Sequence, residues 1–150
     1  MKGLGAFGIL ILAAGEGTRM VSKMPKVLHP LGGEPVIYYV IRAALRLKPK
    51  KLIIVLGSSV DQIKAKIFEE FAKTTGLQFA FQNKPLGTAH AAACARKSFN
   101  DLDTVMVLSG DVPLVSKDAL EDLASFHMRE KNQATCLTAK LANPAGYGRI

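Results

Sequence analysis

The sequence predicts an α/β fold in which a mostly parallel sheet carries helices on both faces. Two observations support this fold class. Short apolar, β-branched runs alternate along the chain with segments whose apolar residues recur at helical spacing. Turn-forming residues follow the apolar runs, as expected where a strand gives way to a loop and a helix. The 150 residues are enough for one domain with a sizeable core.

The predicted elements follow one another in a β-α order, without an internal repeat or an obvious linker. Apolar, β-branched or alternating runs indicate strands at residues 7–11, 51–56, 78–82, 104–108 and 134–141. Helical spacing and start signals indicate helices at residues 35–47, 60–74, 89–97 and 116–129, with Thr88 as the N-cap of the third. In such sheets ligands bind beyond the carboxyl ends of the strands. The loops at 15–26, 82–88 and 109–111 are therefore expected to form one site.

The first of these loops has the composition of a polyphosphate site. Gly15 and Gly17 can take positive φ and let oxygens approach backbone N–H groups. Arg19 offers a planar fork and Lys26 a point charge, and both kinds of cation recognise phosphate. The dinucleotide fingerprint does not fit, because Met20 stands where its third glycine belongs, and a Walker A triplet is absent.

The other two loops add a base-reading amide and a metal-type carboxylate. Gln82 presents a donor and an acceptor, which could read a nucleobase edge in a bidentate way, and Gly87 and Thr88 follow it. A plain strand–turn–helix connection is the alternative for this segment. Asp111 comes directly after a buried strand, and a carboxylate there suits Mg²⁺, although a simple Gly-Asp turn would look the same.

Four motifs together resemble one family. L-A-A-G-x-G-T-R-M at 12–20, followed by P-K at 25–26, resembles the signature of nucleotide-sugar pyrophosphorylases. The longer run P-K-V-L-H-P-L-G-G-E-P at 25–35 narrows the resemblance to the bacterial N-acetylglucosamine-1-phosphate uridyltransferases, which also carry an acetyltransferase domain. The segments Q-x-x-x-x-G-T at 82–88, G-D-V-P at 110–113 and G-Y-G-R at 146–149 agree with the same family in order.

The resemblance implies a reaction and a set of site residues. UTP and N-acetylglucosamine 1-phosphate would react with Mg²⁺ as cofactor to give UDP-N-acetylglucosamine and pyrophosphate, for cell-wall precursor synthesis. Arg19 and Lys26 are implied to be catalytic, and Asp111 is implied to bind the metal. The implied substrate-binding residues are Leu12, Ala13, Ala14, Gly15, Lys26, Gln82, Gly87, Thr88, Ser109, Gly110, Asp111 and Gly148.

Composition argues against nucleic-acid-binding, membrane-spanning and secreted classes of protein. The net charge of +8 could indicate nucleic-acid binding, but the basic residues are dispersed and do not interleave with aromatics, so no nucleic acid is expected. No stretch approaches the roughly 18 continuous apolar residues of a membrane span, so no membrane partner is expected. Cys94 and Cys136 lack a CxxC partner, which fits small buried residues in a cytoplasmic protein. An N-terminal signal peptide is disfavoured, since one lysine precedes an apolar run interrupted by glycine.

The resemblance also bears on the extent of the domain. The family's pyrophosphorylase domain continues beyond a length of this kind, so residues 1–150 are interpreted as the N-terminal portion of one nucleotidyltransferase domain with a truncated Rossmann-like sheet. Such a portion is expected to be a weak or inactive enzyme, and a homo-oligomer, which the family implies to be a trimer in the full-length chain. Two alternatives stay open: another nucleotidyltransferase, such as a cytidylyltransferase of isoprenoid synthesis, and a non-catalytic nucleotide-binding or nucleic-acid-binding module.

Overall fold

The structure is a computed structural model that describes residues 5–17 and 20–146. Strands and helices alternate after a small hairpin, and 3-10 helices at Lys26–Leu28 and Arg96–Phe99 complete the described elements. In chain order the elements are β1 (Phe7–Ala13), β2 (Pro30–Leu31), β3 (Glu34–Pro35), α1 (Val36–Arg46), β4 (Lys51–Leu56), α2 (Val60–Phe71), β5 (Leu77–Phe81), α3 (Thr88–Cys94), β6 (Thr104–Ser109) and α4 (Lys117–Arg129).

The main sheet is parallel, as the sequence predicts. Its strand order is β5-β4-β1-β6, and every neighbouring pair runs in the same direction. Ile11 of β1 lies opposite Ile54 of β4 on one side and Leu108 of β6 on the other. The chain moves outward from β1 through β4 to β5 and then returns to the other side of β1. The strand order therefore reverses between β1 and β6, and such a reversal opens a crevice at the carboxyl ends of the strands.

Helices cover both faces of this sheet. One face packs against α1, α2 and α4 in a large apolar core that includes Ile9, Ile41 and Ile54, each with no exposed surface. The other face packs against α3 in a smaller core. This core contains Leu10 and Ile53 from the strands, and Ala91 and Ala95 from α3 and its C-terminal end. Strands buried on both sides consist of near-continuous apolar residues because neither face meets water. Four of the predicted strands, at 7–11, 51–56, 78–82 and 104–108, correspond to β1, β4, β5 and β6 with ends that agree within two residues.

The strand predicted at residues 134–141 is wrong. These residues adopt no regular secondary structure, none is buried, and all but Thr135 are exposed. The segment has strand-type composition, but strand propensity mainly measures how well a side chain packs on a half-buried sheet surface. Residues 134–137 border a second cavity beside β6 and α4 without pairing to β6. In the described part of the chain, β6 is consequently an edge of the sheet.

Helix boundaries agree with the sequence to within one residue for α1 and α4, whereas α2 ends at Phe71, three residues before its predicted end, and α3 also differs. Ser116 caps α4, and its hydroxyl accepts a hydrogen bond from the Ala119 N–H at 3.1 Å. Thr88, in contrast, is the first residue of α3 rather than its N-cap, and the helix ends at Cys94. Gly87 is the N-cap, with φ of +94°, a conformation that side-chain-bearing residues rarely adopt. Among the described residues, no helix combines the length and apolarity that crossing a bilayer requires.

Candidate nucleotide site

A cavity of about 680 Å³ opens beyond the carboxyl ends of β1, β5 and β6. Its position matches the crevice expected where the strand order reverses. Its volume lies in the range of small-molecule sites. The lining includes residues of all three loops that the sequence singled out, together with neighbours on either side of them: Leu12, Ala13, Ala14, Gly15, Gly17, Met20, Lys26, Val27, Gln82, Pro85, Gly87, Thr88, Ala91, Ser109 and Asp111.

The loop after β1 lines this cavity with Gly15 and Gly17. Gly15 and Glu16 are exposed, and the N–H groups of residues 15–17 donate to no backbone or side-chain acceptor in the described part of the chain. Gly17 has φ of +62°, and a Cβ at this position would stand 2.8 Å from Cβ of Lys26. Glycine is thus required here for the turn and for the close passage of the Lys26 stem. Free N–H groups beside a lysine form an environment that suits an anion.

Lys26 and Asp111 form an ion pair across the cavity. The Lys26 ammonium is bonded to the Asp111 carboxylate, although the two residues belong to loops that follow different strands. Partial burial raises the pKa of Asp111, but the hydrogen bond and the charge of Lys26 outweigh that effect and hold the pKa below its ordinary value. Asp111 is therefore a carboxylate at neutral pH, and the pair is electrically neutral when no ligand is bound.

The residues present can hold one magnesium ion in company with a nucleotide. In the described part of the chain, no three His, Cys, Asp or Glu side chains come together to form a protein-only metal cage. Mg²⁺ does not need one, because it commonly keeps several waters and takes one or two carboxylates together with substrate phosphates. Asp111 supplies such a carboxylate at the cavity wall. The donor set therefore fits a metal that arrives with the phosphates.

Gln82 is the one polar residue in the buried core of the described chain, with 7% of its surface exposed. It follows β5, and its backbone N–H donates to the Leu56 carbonyl at 2.8 Å. Its side-chain Nε2 lies 3.0 Å from the Gly87 carbonyl oxygen and 2.9 Å from Nδ1 of His90. Both amide hydrogens are used inside the protein. The bidentate contact expected from the sequence is therefore unavailable in this arrangement, and only Oε1 is left for a ligand.

The other predicted site residues fall into three groups. Ser109, at the end of β6, and Thr88, at the start of α3, line the cavity together with the end of β1. Gly110 lies behind the lining, where its N–H donates to the Leu12 carbonyl at 2.8 Å. Arg19 and Gly148 lie outside the described residues.

Sequence reasoning missed lining residues that carry no chemical signal of their own. Met20, Val27, Pro85 and Ala91 contribute apolar wall, and such residues are indistinguishable from core residues in a sequence. It also gave no role to His90, which lies behind Gln82. The only signal for that histidine is its position three residues after Gly87, on the first turn of a helix that starts beside the cavity.

Known proteins resemble this chain over nearly all of its length. Residues 9–149 match the family described as the MobA-like NTP transferase domain. The bifunctional protein GlmU of Clostridioides difficile is 41% identical over 144 residues, which cover 96% of this chain and 30% of that protein. The bifunctional protein GlmU of Xanthomonas axonopodis pv. citri is 46% identical over 142 residues, which cover 95% and 29%. The chain thus spans less than a third of the length of these relatives.

A solved structure supports the fold independently of close sequence similarity. The 4-diphosphocytidyl-2C-methyl-D-erythritol synthase from Anaerococcus prevotii aligns with a TM-score of 0.66 at 17% identity, over 83% of this chain and 52% of that one. At this identity the likeness concerns the fold alone. Together with the match over residues 9–149, it confirms the fold class predicted from the sequence, and the chain belongs to the MobA-like NTP transferase domain family.

Proposed function

We propose that this chain carries the nucleotide-binding part of a uridylyltransferase that uses UTP and N-acetylglucosamine 1-phosphate. The observation that carries the proposal is the ion pair of Lys26 with Asp111 in a cavity that Gly15 and Gly17 also line, with N–H groups that donate to no acceptor in the described part of the chain. Phosphoryl-type transfer depends chiefly on positioning and on offsetting negative charge, and these groups are suited to both tasks. The four motifs resembling bacterial uridyltransferases narrow the substrates within the nucleotidyltransferase class.

In the proposed reaction, a phosphate oxygen of the sugar phosphate attacks the α-phosphorus of UTP. A new P–O bond forms, the bond between the α-phosphorus and the bridging oxygen breaks, and pyrophosphate leaves with that electron pair. The backbone donors of residues 15–17 bind phosphate oxygens, and Lys26 offsets the negative charge that grows at the α-phosphate. Arg19, outside the described residues, is proposed to hold the departing phosphates. The protein forms no covalent intermediate in this scheme.

We propose Asp111 as the protein ligand of Mg²⁺. Magnesium would be held by this carboxylate, by phosphate oxygens and by water, and when bound it would supply Lewis-acid polarisation of the phosphates. The chain's own contribution is to keep Asp111 ionised, which the neighbouring Lys26 promotes. Gly148, at the other end of the sequence, is proposed to touch the sugar.

The remaining expectations are proposed along with this function. Residues 1–150 form the N-terminal portion of one nucleotidyltransferase domain, the protein acts in the cytoplasm in the synthesis of cell-wall and lipopolysaccharide precursors, and it assembles as a homo-oligomer, a trimer in the full-length form. Light scattering coupled to gel filtration measures the oligomeric state directly. No nucleic acid or membrane takes part in the proposed reaction.

Nucleotide binding by the purified chain tests the proposal. Calorimetric titration with UTP in the presence of Mg²⁺ should show saturable binding, and Lys26→Ala should weaken it about 10- to 150-fold, because hydrogen bonds to charged groups contribute about 1.5–3 kcal/mol. The matched control is Lys23→Ala, which removes an exposed lysine nearby and should bind UTP as the wild type does. A pyrophosphate-release assay with the sugar phosphate then measures turnover. Absence of UTP binding by the wild-type chain would contradict the proposal.

A further inference from the structure

The side-chain amide of Gln82 has a determined orientation. At ordinary resolution the oxygen and nitrogen of a glutamine amide are assigned from their hydrogen-bond partners. One partner here is the Gly87 carbonyl, 3.0 Å from Nε2, and a carbonyl oxygen can only accept. The atom facing it must therefore be the amide nitrogen. Reversing the amide would bring two acceptor oxygens together and lose the hydrogen bond.

This orientation fixes the protonation of His90. Nδ1 of His90 lies 2.9 Å from the same Gln82 nitrogen, within hydrogen-bond distance of its second hydrogen. Nδ1 must accept, so it carries no proton, and in the neutral ring the proton resides on Nε2. Gly87 and His90 together thus occupy both hydrogens of the amide. No other residue in the described part of the chain offers an alternative partner to Nε2.

The amide oxygen is left facing the cavity. Among residues 5–17 and 20–146, no hydrogen bond involves Oε1. Gln82 belongs to the wall of the cavity. The cavity wall therefore presents Oε1 as a fixed acceptor beside the apolar residues Pro85 and Ala91 and the hydroxyl-bearing Thr88.

We propose that His90 is a positioning residue that sets nucleobase selectivity by holding Gln82 with Oε1 directed at the base. This inference rests on the proposed function. An acceptor that cannot turn into a donor selects a base that carries an N–H at the facing position, and uracil carries one at N3 while cytosine does not. If the amide were free to turn, its NH₂ group would suit the bare N3 of cytosine equally well. His90 discriminates against cytosine by opposing that turn, without touching the nucleotide itself.

Substitution of His90 separates this role from general support of the fold. His90→Leu removes the acceptor, whereas His90→Asn can place Oδ1 near the position of Nδ1. The control is His127→Leu, since His127 bonds Thr135 at 2.9 Å beside the second cavity, away from Gln82. Calorimetry with Mg²⁺-UTP and Mg²⁺-CTP gives the ratio of the two affinities for each variant, and thermal melting verifies that each is folded.

The expected results are specific to the proposed role. The UTP-to-CTP affinity ratio should fall about 5- to 10-fold in His90→Leu, as expected for loss of one buried hydrogen-bond partner, and should be largely restored in His90→Asn. His127→Leu should leave the ratio unchanged. An equal loss of affinity for both nucleotides in His90→Leu, with the ratio within twofold of wild type, would overturn the inference while leaving the proposed function intact.

A second measurement does not depend on any variant. Nitrogen NMR of the wild-type chain labelled at histidine reports which ring nitrogen of His90 carries the proton. The proposal requires a bare Nδ1 and a protonated Nε2, and it requires a hydrogen-bonded pair of Gln82 amide protons. A proton on Nδ1 in the folded chain would overturn it. Failure of the wild type to bind either nucleotide would instead overturn the proposed function and, with it, the selectivity that rests on it.

Discussion

Replacing Lys26 with alanine should strengthen the binding of a divalent cation to the nucleotide-free chain. The Lys26 ammonium is paired with the Asp111 carboxylate, so a cation that binds this carboxylate must displace the ammonium. Alanine removes the competitor and leaves the carboxylate free. The same substitution should weaken UTP binding, because Lys26 is also the lysine proposed to contact the phosphates. Tighter binding of the metal together with weaker binding of UTP is the result expected if Lys26 contacts both the Asp111 carboxylate and the phosphates.

The magnitude follows from the exposure of the pair. The side chains of Lys26 and Asp111 are 36% and 29% exposed, so solvent screens their attraction. Pairs of this kind contribute about 0.2–1 kcal/mol, which corresponds to an increase in metal affinity of up to about fivefold. Titration with Mn²⁺, monitored by electron paramagnetic resonance of the free ion, measures this affinity without nucleotide.

Two variants make the experiment decisive. Lys23→Ala changes the net charge by the same amount at an exposed position and should leave Mn²⁺ affinity close to the wild-type value. Asp111→Asn should abolish binding at this site, which shows that the titration reports on the intended carboxylate. If Lys26→Ala bound Mn²⁺ no better than Lys23→Ala, the ion pair would not compete with metal and the reasoning would be refuted.

Three further predictions concern other residues. Asp111→Asn should raise the Mg²⁺ concentration needed for half-maximal UTP binding, and an unchanged value would remove Asp111 from the metal site. Gly17→Ala should lower the melting temperature through a cost of about 1–2 kcal/mol, since it forces a side chain into a positive-φ position beside the Lys26 stem; an unchanged melting temperature would contradict the argument. Hydrogen bonds from Lys50 and then Lys51, with their charges, lower the pKa of Asp101 from 3.8 to about 2. The stabilisation of the folded state by these ion pairs is thus present above about pH 4 and is lost as the pH falls through about 2. The difference in melting temperature between wild type and Asp101→Asn should therefore shrink between these two pH values and not elsewhere.

The sheet was predictable from the sequence mainly because its two central strands, β1 and β4, are buried on both faces. Continuous apolar runs such as residues 51–56 have no other stable environment in a chain of this size, and alternation with helices then determines a parallel order. The strand at 134–141 could not be judged in the same way. Its composition allows a strand, but whether it forms depends on a partner at the edge of β6, and a sequence pattern does not reveal edge pairing.

The site was predictable to the level of its loops but not of its hydrogen bonds. That Lys26 and Asp111 would meet follows from topology, since both come after strands whose carboxyl ends share one edge of the sheet. Gln82 uses both amide hydrogens within the protein, one toward Gly87 and one toward His90. These contacts depend on distances of about 3 Å that the turn into α3 sets. Motif spacing is too coarse to specify such distances, so the bidentate reading of a base appeared equally acceptable.

The ion pair determines which charges must be compensated when a metal or a nucleotide binds. An unpaired carboxylate or ammonium in a partly buried cavity is unfavourable, and each of these two residues neutralises the other while the cavity is empty. Under the proposed function, a nucleotide entering with magnesium brings both a cation for Asp111 and phosphates for Lys26. The partners would then exchange without leaving either charge alone at any stage. Metal or nucleotide alone satisfies only one member of the pair, and the site should therefore bind the two together more tightly than the product of their separate affinities implies.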